Sequence, residues 1–262
     1  MGVVVGGGAG GTRAPARGRA RCRRASGRVS GTAAASARPV PAGGARHRAR
    51  RRGRVVLVEG EARTHRRRVT GAALPAAFYA RPTPEVARRL LGHVLVSRVR
   101  GRRVAGRIVE TEAYVGPDDP ACHGYRARRT RRNASLFGPP GTAYVYFTYG
   151  MHWCLNAVTE ALGFPAAVLI RALEPLAGLA TMRRRRGGVP DHELCSGPAK
   201  LCAALGVTGR LDGISLTRGV LRIVRNPSRQ LHATIVTPRI GISRAADWPL
   251  RFLIAGSPWV SR

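Results

Sequence analysis

The first 70 residues contain no Phe, Tyr, Trp or Ile and a single Leu, so any packed core must be built from residues 71–262. That opening segment is Gly, Ala, Ser and Arg with 18 basic and 2 acidic residues. It buries too little apolar surface to offset the entropy of ordering it, and disorder is expected. Gly6, Gly8 and Gly11 carry GxGxxG spacing, but three valines make a poor strand before them and Pro15 interrupts the helix that should come next. No acid appears until Glu59, so a dinucleotide site is excluded there. The segment is also Arg-rich and acid-poor in the manner of a transit peptide, which a translation start placed too far upstream would explain equally well. The expected division is a disordered basic tail over 1–70 and one folded domain over 71–262.

The formal charge is +33, from 45 Arg and one Lys (Lys200) against 13 acids. Both parts share it: residues 71–262 hold 28 basic and 11 acidic residues, a net +17. Arginine presents a flat fork of donors that fits phosphate, so nucleic acid is the first partner and an anionic membrane surface the second. A GC-rich coding bias accounts for Arg over Lys but not for the shortage of acids. The five cysteines (22, 122, 154, 195 and 202) form no CxxC pair and no even framework, which fits a reduced compartment and argues against zinc. No stretch approaches the ~20 apolar residues of a membrane span.

A helix is expected through EVARRLLG, capped by Thr83 and stopped by Gly92. HVLVSRV and GRRVAGRIVETEAYV read as paired strands, AYVYFTYG and AAVLIRAL as further strands, and LEPLAGLATMRRRR and AKLCAALG as helices. LRIVR and LRFLIAGSPWV suggest strands among turns. Strands and helices do not alternate regularly, so the expected class is α+β, one domain with a mostly antiparallel sheet surrounded by helices.

Chemistry concentrates between Arg107 and Gly178. In a strand through RIVETEAYV, alternation places Ile108, Glu110, Glu112 and Tyr114 on one face. A carboxylate there can serve as a general base on water or be spent on the surrounding arginines, and the pattern does not choose between Glu110 and Glu112. His123 sits further on, in a loop rich in Pro, Gly and Asp. Tyr144, Tyr146, Phe147, Tyr149 and Trp153 are five of the fourteen aromatics. Tyr144 and Tyr146 share one face, Phe147 and Tyr149 the other, and Gly150 beside Tyr149 allows a turn that pushes the ring outward. An exposed aromatic on a basic surface is what filling the gap left by an extruded base requires.

ETEAY, the loop histidine, YVYFTYGM, Asn156, LIRALEP, SGPAKLCAALG and GSPWVS, in that order over residues 75–262, resemble the alkyladenine type of 3-methyladenine DNA glycosylase. The resemblance implies an α+β domain with a protruding DNA-inserting hairpin, no metal or cofactor, and flipping of a damaged purine into a pocket. It implies Glu112 as the base that activates water, with Glu110 supporting. Tyr114 and Tyr146 would sandwich the flipped base, His123 would form a pocket wall, and Tyr149 would intercalate. Asn156 would discriminate against the guanine amino group, and Arg171 would support the pocket. Arg128, Thr130 and Arg132 align with a phosphate-contacting stretch, although GYRARRTRRN is more basic than the family pattern and His152 and Trp153 depart from it. Lys200, at a helix start suited to phosphate, is the only lysine available for a Schiff base, so a monofunctional enzyme is expected. The expected partner is double-stranded DNA with damaged purines, with no membrane and a monomeric chain, cytoplasmic and nucleoid-associated if bacterial. Two other readings stay open: a non-enzymatic nucleic-acid binder whose acids are merely paired, and an enzyme of similar architecture acting on a small molecule.

Overall fold

The computed structural model describes residues 71–227 and 232–261. The tail, its glycine run and Cys22 lie outside the described residues.

The described residues form an α+β fold around an antiparallel sheet of eight strands. In chain order these are β1 (Val94–Ser97), β2 (Val104–Tyr114), β3 (Ala143–Thr148), β4 (His152–Thr159), β5 (Ala166–Ala177), β6 (Leu221–Val224), β7 (Thr234–Thr237) and β8 (Arg251–Ile254). The main path runs β3-β4-β5-β2-β1-β6, with β8 added to β2 and β7 to β8. The long strand β2 organises the site. β5 runs along one edge for its whole length, while β1 pairs with Val104–Arg107 and β8 with Glu110–Glu112 on the other.

Three register shifts interrupt the β2–β5 ladder, one between Ala105 and Gly106 and two around Glu110. Ile108 faces Leu173, Glu110 faces Ala172 and Thr111 faces Ile170, leaving Val109 and Arg171 as extra residues without a partner across the ladder. A bulge re-aims side chains and breaks strict alternation. Ile108, expected beside the two acids, therefore packs with Val109 in the main core. Glu110 and Glu112 still converge, since both reach Arg171.

Helix α1 (Ala76–Tyr79) is a single turn, and α2 (Thr83–Leu90) buries Thr83, Val86, Ala87 and Leu90, the spacing of one helical face. That face lies on β2, where the Thr111 hydroxyl donates to the Ala87 carbonyl at 2.9 Å. Thr83 does not cap the helix as expected: Pro82 holds the N-cap position, and the Thr83 hydroxyl instead donates to Glu160 at 2.5 Å and pairs with Thr159 at 2.8 Å. A second correction concerns LEPLAGLATMRRRR. Leu173–Ala177 remain in β5, and the helix α3 (Leu179–Arg185) starts only after Gly178, whose φ of 77° breaks the strand. Pro175 disfavours a helix interior, and pairing with Ile108, Gly106 and Ala105 keeps the segment extended. Helix α4 (Pro198–Leu205) packs Leu201, Cys202, Ala204 and Leu205 into the core beneath β4 and β5. None of the described helices is long and apolar enough to cross a membrane.

Candidate active site

The hairpin β3–β4 and the end of β2 enclose a cavity of about 350 Å³, at the small end of the ~300–1,000 Å³ usual for ligand sites. Tyr114, His123, Tyr146, Asn156 and Arg171 all line it, with Tyr149 and Arg132 at its rim. Residues from β2, the loop after it, the turn that carries Arg132, the hairpin and β5 are thus brought together.

Strand alternation sorts the aromatics as expected. Tyr144 and Tyr146 lie side by side, ring centroids 5.4 Å apart, while Phe147 turns the other way and packs against Trp153, tilted, with centroids 4.7 Å apart. The His123 ring stands edge-on to Tyr146 at 4.5 Å, and its Nδ1 shares a 2.7 Å hydrogen bond with the Tyr144 hydroxyl. Asn156 donates to the Tyr144 carbonyl at 3.0 Å. At the hairpin tip, Tyr149 and Gly150 both take positive φ (50° and 67°), closed by a hydrogen bond from the Met151 N–H to the Thr148 carbonyl. Tyr149 is 81% exposed as a result.

The carboxylates differ sharply in how they are held. Both are fully buried. Glu110 accepts from Arg171 Nε (3.0 Å), Arg251 Nε (2.6 Å), the Ser261 hydroxyl (2.8 Å) and the Ser261 N–H (2.6 Å). Glu112 accepts from the Ile240 N–H (2.8 Å) on one oxygen, which also makes an ion pair with Arg171 Nη1 at 3.2 Å, and from the Tyr114 hydroxyl alone (3.0 Å) on the other. Glu112 sits one side chain behind the wall, since these three partners all line the cavity. Four donors hold Glu110 as a structural anchor, two of them from Ser261 and one from Arg251, neither of which lines this cavity, whereas all three partners of Glu112 do.

Burial raises the pKa of Tyr114, with the neighbouring Glu112 adding to it. Burial likewise raises Tyr144, Tyr146 and Cys154 and pushes the Cys122 thiol up to about 11. Desolvation is opposed at Arg171 by Glu112 and Glu110, which hold the guanidinium charged. Although His123 is exposed at the cavity mouth, the groups packed around it and then the Arg132 charge lower its pKa. The aromatic walls are therefore uncharged near neutral pH. Because the folded state disfavours the histidine proton, this contribution to stability is complete above the ordinary histidine value of about 6.5 and is lost as pH falls through the lowered one. His123→Gln should accordingly show a smaller drop in Tm between neutral and mildly acidic buffer than the unsubstituted protein, as measured by thermal melts across that range.

The other expected phosphate contacts are dispersed. Arg132 is exposed and donates to the Phe147 carbonyl at 2.6 Å, which ties it to the hairpin. Arg128 is exposed, with its carbonyl held by Asn133, and Thr130 closes a capping box with Asn133. Lys200 lines a second cavity of about 690 Å³ that shares Arg171 and Pro198 with the first, and lies 3.5 Å from Glu193 and 3.3 Å from Ser196. Among the described residues no three His, Cys, Asp or Glu are grouped to hold a metal ion.

The sequence pattern did not single out Tyr144 as a cavity residue, although period-two alternation already set it beside Tyr146. Asp119, Arg239, Ile240, Arg251 and Ser261 were missed altogether. No local pattern marks them, because their partners lie more than a hundred residues away.

The family model described as methylpurine-DNA glycosylase matches residues 77–258. A provisionally named 3-methyladenine DNA glycosylase of Methanoculleus marisnigri is 51% identical over 192 residues, 72% of this chain and 98% of that protein. A protein of the same provisional name from Carboxydothermus hydrogenoformans is 49% identical over 190 residues, again 72% and 98%. The DNA-3-methyladenine glycosylase of Homo sapiens is 44% identical over 199 residues, covering 70% of this chain and 66% of the human protein.

Proposed function

Given that the chain belongs to the methylpurine-DNA glycosylase family, we propose that it releases damaged purines from duplex DNA by hydrolysis of the N-glycosidic bond, with Glu112 activating the water. The observation that carries this reading is the inequality of the two buried carboxylates. One is held by four donors, including Arg251 and Ser261, which do not line the base cavity, whereas every partner of the other lines a cavity walled by tyrosine rings.

In this reading a purine swings out of the stack into the cavity between Tyr114 and Tyr146, with His123 and Asn156 at its edges. Glu112, oriented by Arg171 and the Ile240 N–H, takes a proton from water as the water oxygen bonds to the sugar C1′. The bond from C1′ to the base nitrogen breaks, and its electron pair leaves with the base. A purine alkylated on a ring nitrogen is cationic and departs neutral, so this step needs no proton donor, and the uncharged walls suit it. Arg128, Thr130, Arg132 and Lys200 would contact phosphates, adding a salt-dependent term to affinity. With Lys200 beside Glu193 in the second cavity, no lysine lines the base cavity, in keeping with a monofunctional enzyme.

The direct test is single-turnover base release from duplexes that each carry one alkylated or deaminated purine. No release from any member of such a panel would overturn the reading. The hairpin makes a finer prediction. Extrusion costs a few kcal/mol in unstacking and unpairing, and a ring that fills the vacated space offsets part of that. Tyr149→Ala should therefore slow release of a paired lesion far more than of one in a single strand, where little needs offsetting. Equal losses on both substrates would mean that Tyr149 is no wedge. Tyr146→Ala should slow both alike, since the flipped base stacks on it however it arrives.

A further inference from the structure

Beyond the Glu110–Glu112–Arg171 cluster, the best-formed buried ionic contact among the described residues joins Arg239 to Asp119. Both side chains are fully buried, and the guanidinium meets the carboxylate through two hydrogen bonds of 2.5 and 2.8 Å. Stability is a weak account of it. Desolvating two charges offsets most of their attraction, and the buried Arg239 Nε finds no acceptor in the structure.

The pair instead reaches several walls of the base cavity. The Arg239 guanidinium lies 4.7 Å from the centroid of the Tyr114 ring, and Nη1 also donates to the Ala113 carbonyl at 3.0 Å. Tyr114 lines the cavity and Arg239 does not, so the cation covers the ring face turned away from the lumen. The Tyr114 hydroxyl is tied to Glu112. A ring held at its hydroxyl and over one face has little freedom to tilt. Asp119 meanwhile accepts the N–H groups of Val115 (3.2 Å) and Ala121 (3.0 Å), fixing the loop that leads into His123. The residue after Arg239 supplies the N–H that orients Glu112.

We propose that Arg239 is a positioning residue for base recognition: by backing the Tyr114 ring and clasping the His123 loop through Asp119, it sets the slot that takes the flat purine. This rests on the glycosylase reading and adds to it a residue that touches no substrate atom. A cation–π contact of this kind, once desolvated, holds a ring firmly, and a preorganised wall spares the incoming base the work of ordering it.

The test uses a duplex carrying the fluorescent base ethenoadenine, whose emission falls when it is stacked, and reads both bound-state emission and single-turnover release. Arg239→Met should raise bound-state emission and slow release about tenfold, with Arg239→Lys in between. In a Tyr114→Leu background the same substitution should change either quantity by no more than about twofold, because the ring through which it acts is gone. A residue that serves only stability would lower Tm and reduce release equally in both backgrounds, with emission unchanged, and that result overturns the proposal. If Arg239→Met does not fold, Arg239→Lys is carried through the same two backgrounds and judged by the same coupling. Failure of the unsubstituted protein to release any base would overturn the glycosylase reading itself, whereas release with uncoupled losses overturns only the role of Arg239.

Discussion

Glu112→Gln should bind damaged duplex DNA as the unsubstituted protein does and release base roughly 10²- to 10⁴-fold more slowly, the usual contribution of a positioned general base. The amide preserves the side-chain volume and can still accept the Ile240 N–H through its oxygen. It cannot take a proton from water. Glu110→Gln should behave differently, since an NH₂ group would replace one of two oxygens that between them face four donors. Its damage should appear in thermal stability, with a milder loss in release measured where the variant is folded. Single-turnover rates alongside equilibrium binding separate the two, and the reverse ranking of rates would move the role of base to Glu110.

The largest loss of stability should come from Arg171→Met. Arg171 is 7% exposed and bridges both buried carboxylates, and its Nη2 also donates to the Ser261 hydroxyl. Removing it leaves Glu110 with Arg251 alone as a counter-charge, and Glu112 with none at ion-pair distance. Breaking a buried pair in this way costs about 3–5 kcal/mol. At about 2–4 °C per kcal/mol for a domain of 150–250 residues, Tm should fall by roughly 6–20 °C. Denaturant melts at neutral pH provide the measurement, and a change below about 1 kcal/mol would mean that water or neighbouring groups neutralise the acids.

Much of the sheet is legible in the sequence because its signal is local. Period-two patterning marks β2 and β3, an apolar run marks β5, and alternation sorts Tyr144 and Tyr146 from Phe147 and with Gly150 locates the exposed ring at the hairpin tip. The bulges at Val109 and Arg171 are invisible at that level, since register is a property of two strands and not of one. The same bulges explain why Ile108 left the face it was expected to share. Helix spacing in LEPLAGLATMRRRR was overridden by pairing with β2, a tertiary contact that local propensity does not register. Composition could not separate Glu110 from Glu112. What distinguishes them in the structure is supplied by Ile240, Arg251 and Ser261, which come from the far end of the chain.

The backbone of Tyr149 bears on how any substitution at the hairpin tip is to be understood. A bulky residue at a φ of 50° is strained by about 1–2 kcal/mol relative to glycine. Alanine inherits that strain, because its Cβ meets the same carbonyl, so Tyr149→Ala subtracts the ring and leaves the turn's conformational preference nearly untouched. Glycine would subtract both and relax the turn as well, so a gain in stability there would not show that the ring is dispensable. The tip thus keeps a side chain that local backbone energetics disfavour, at a position where the ring itself is turned out to solvent.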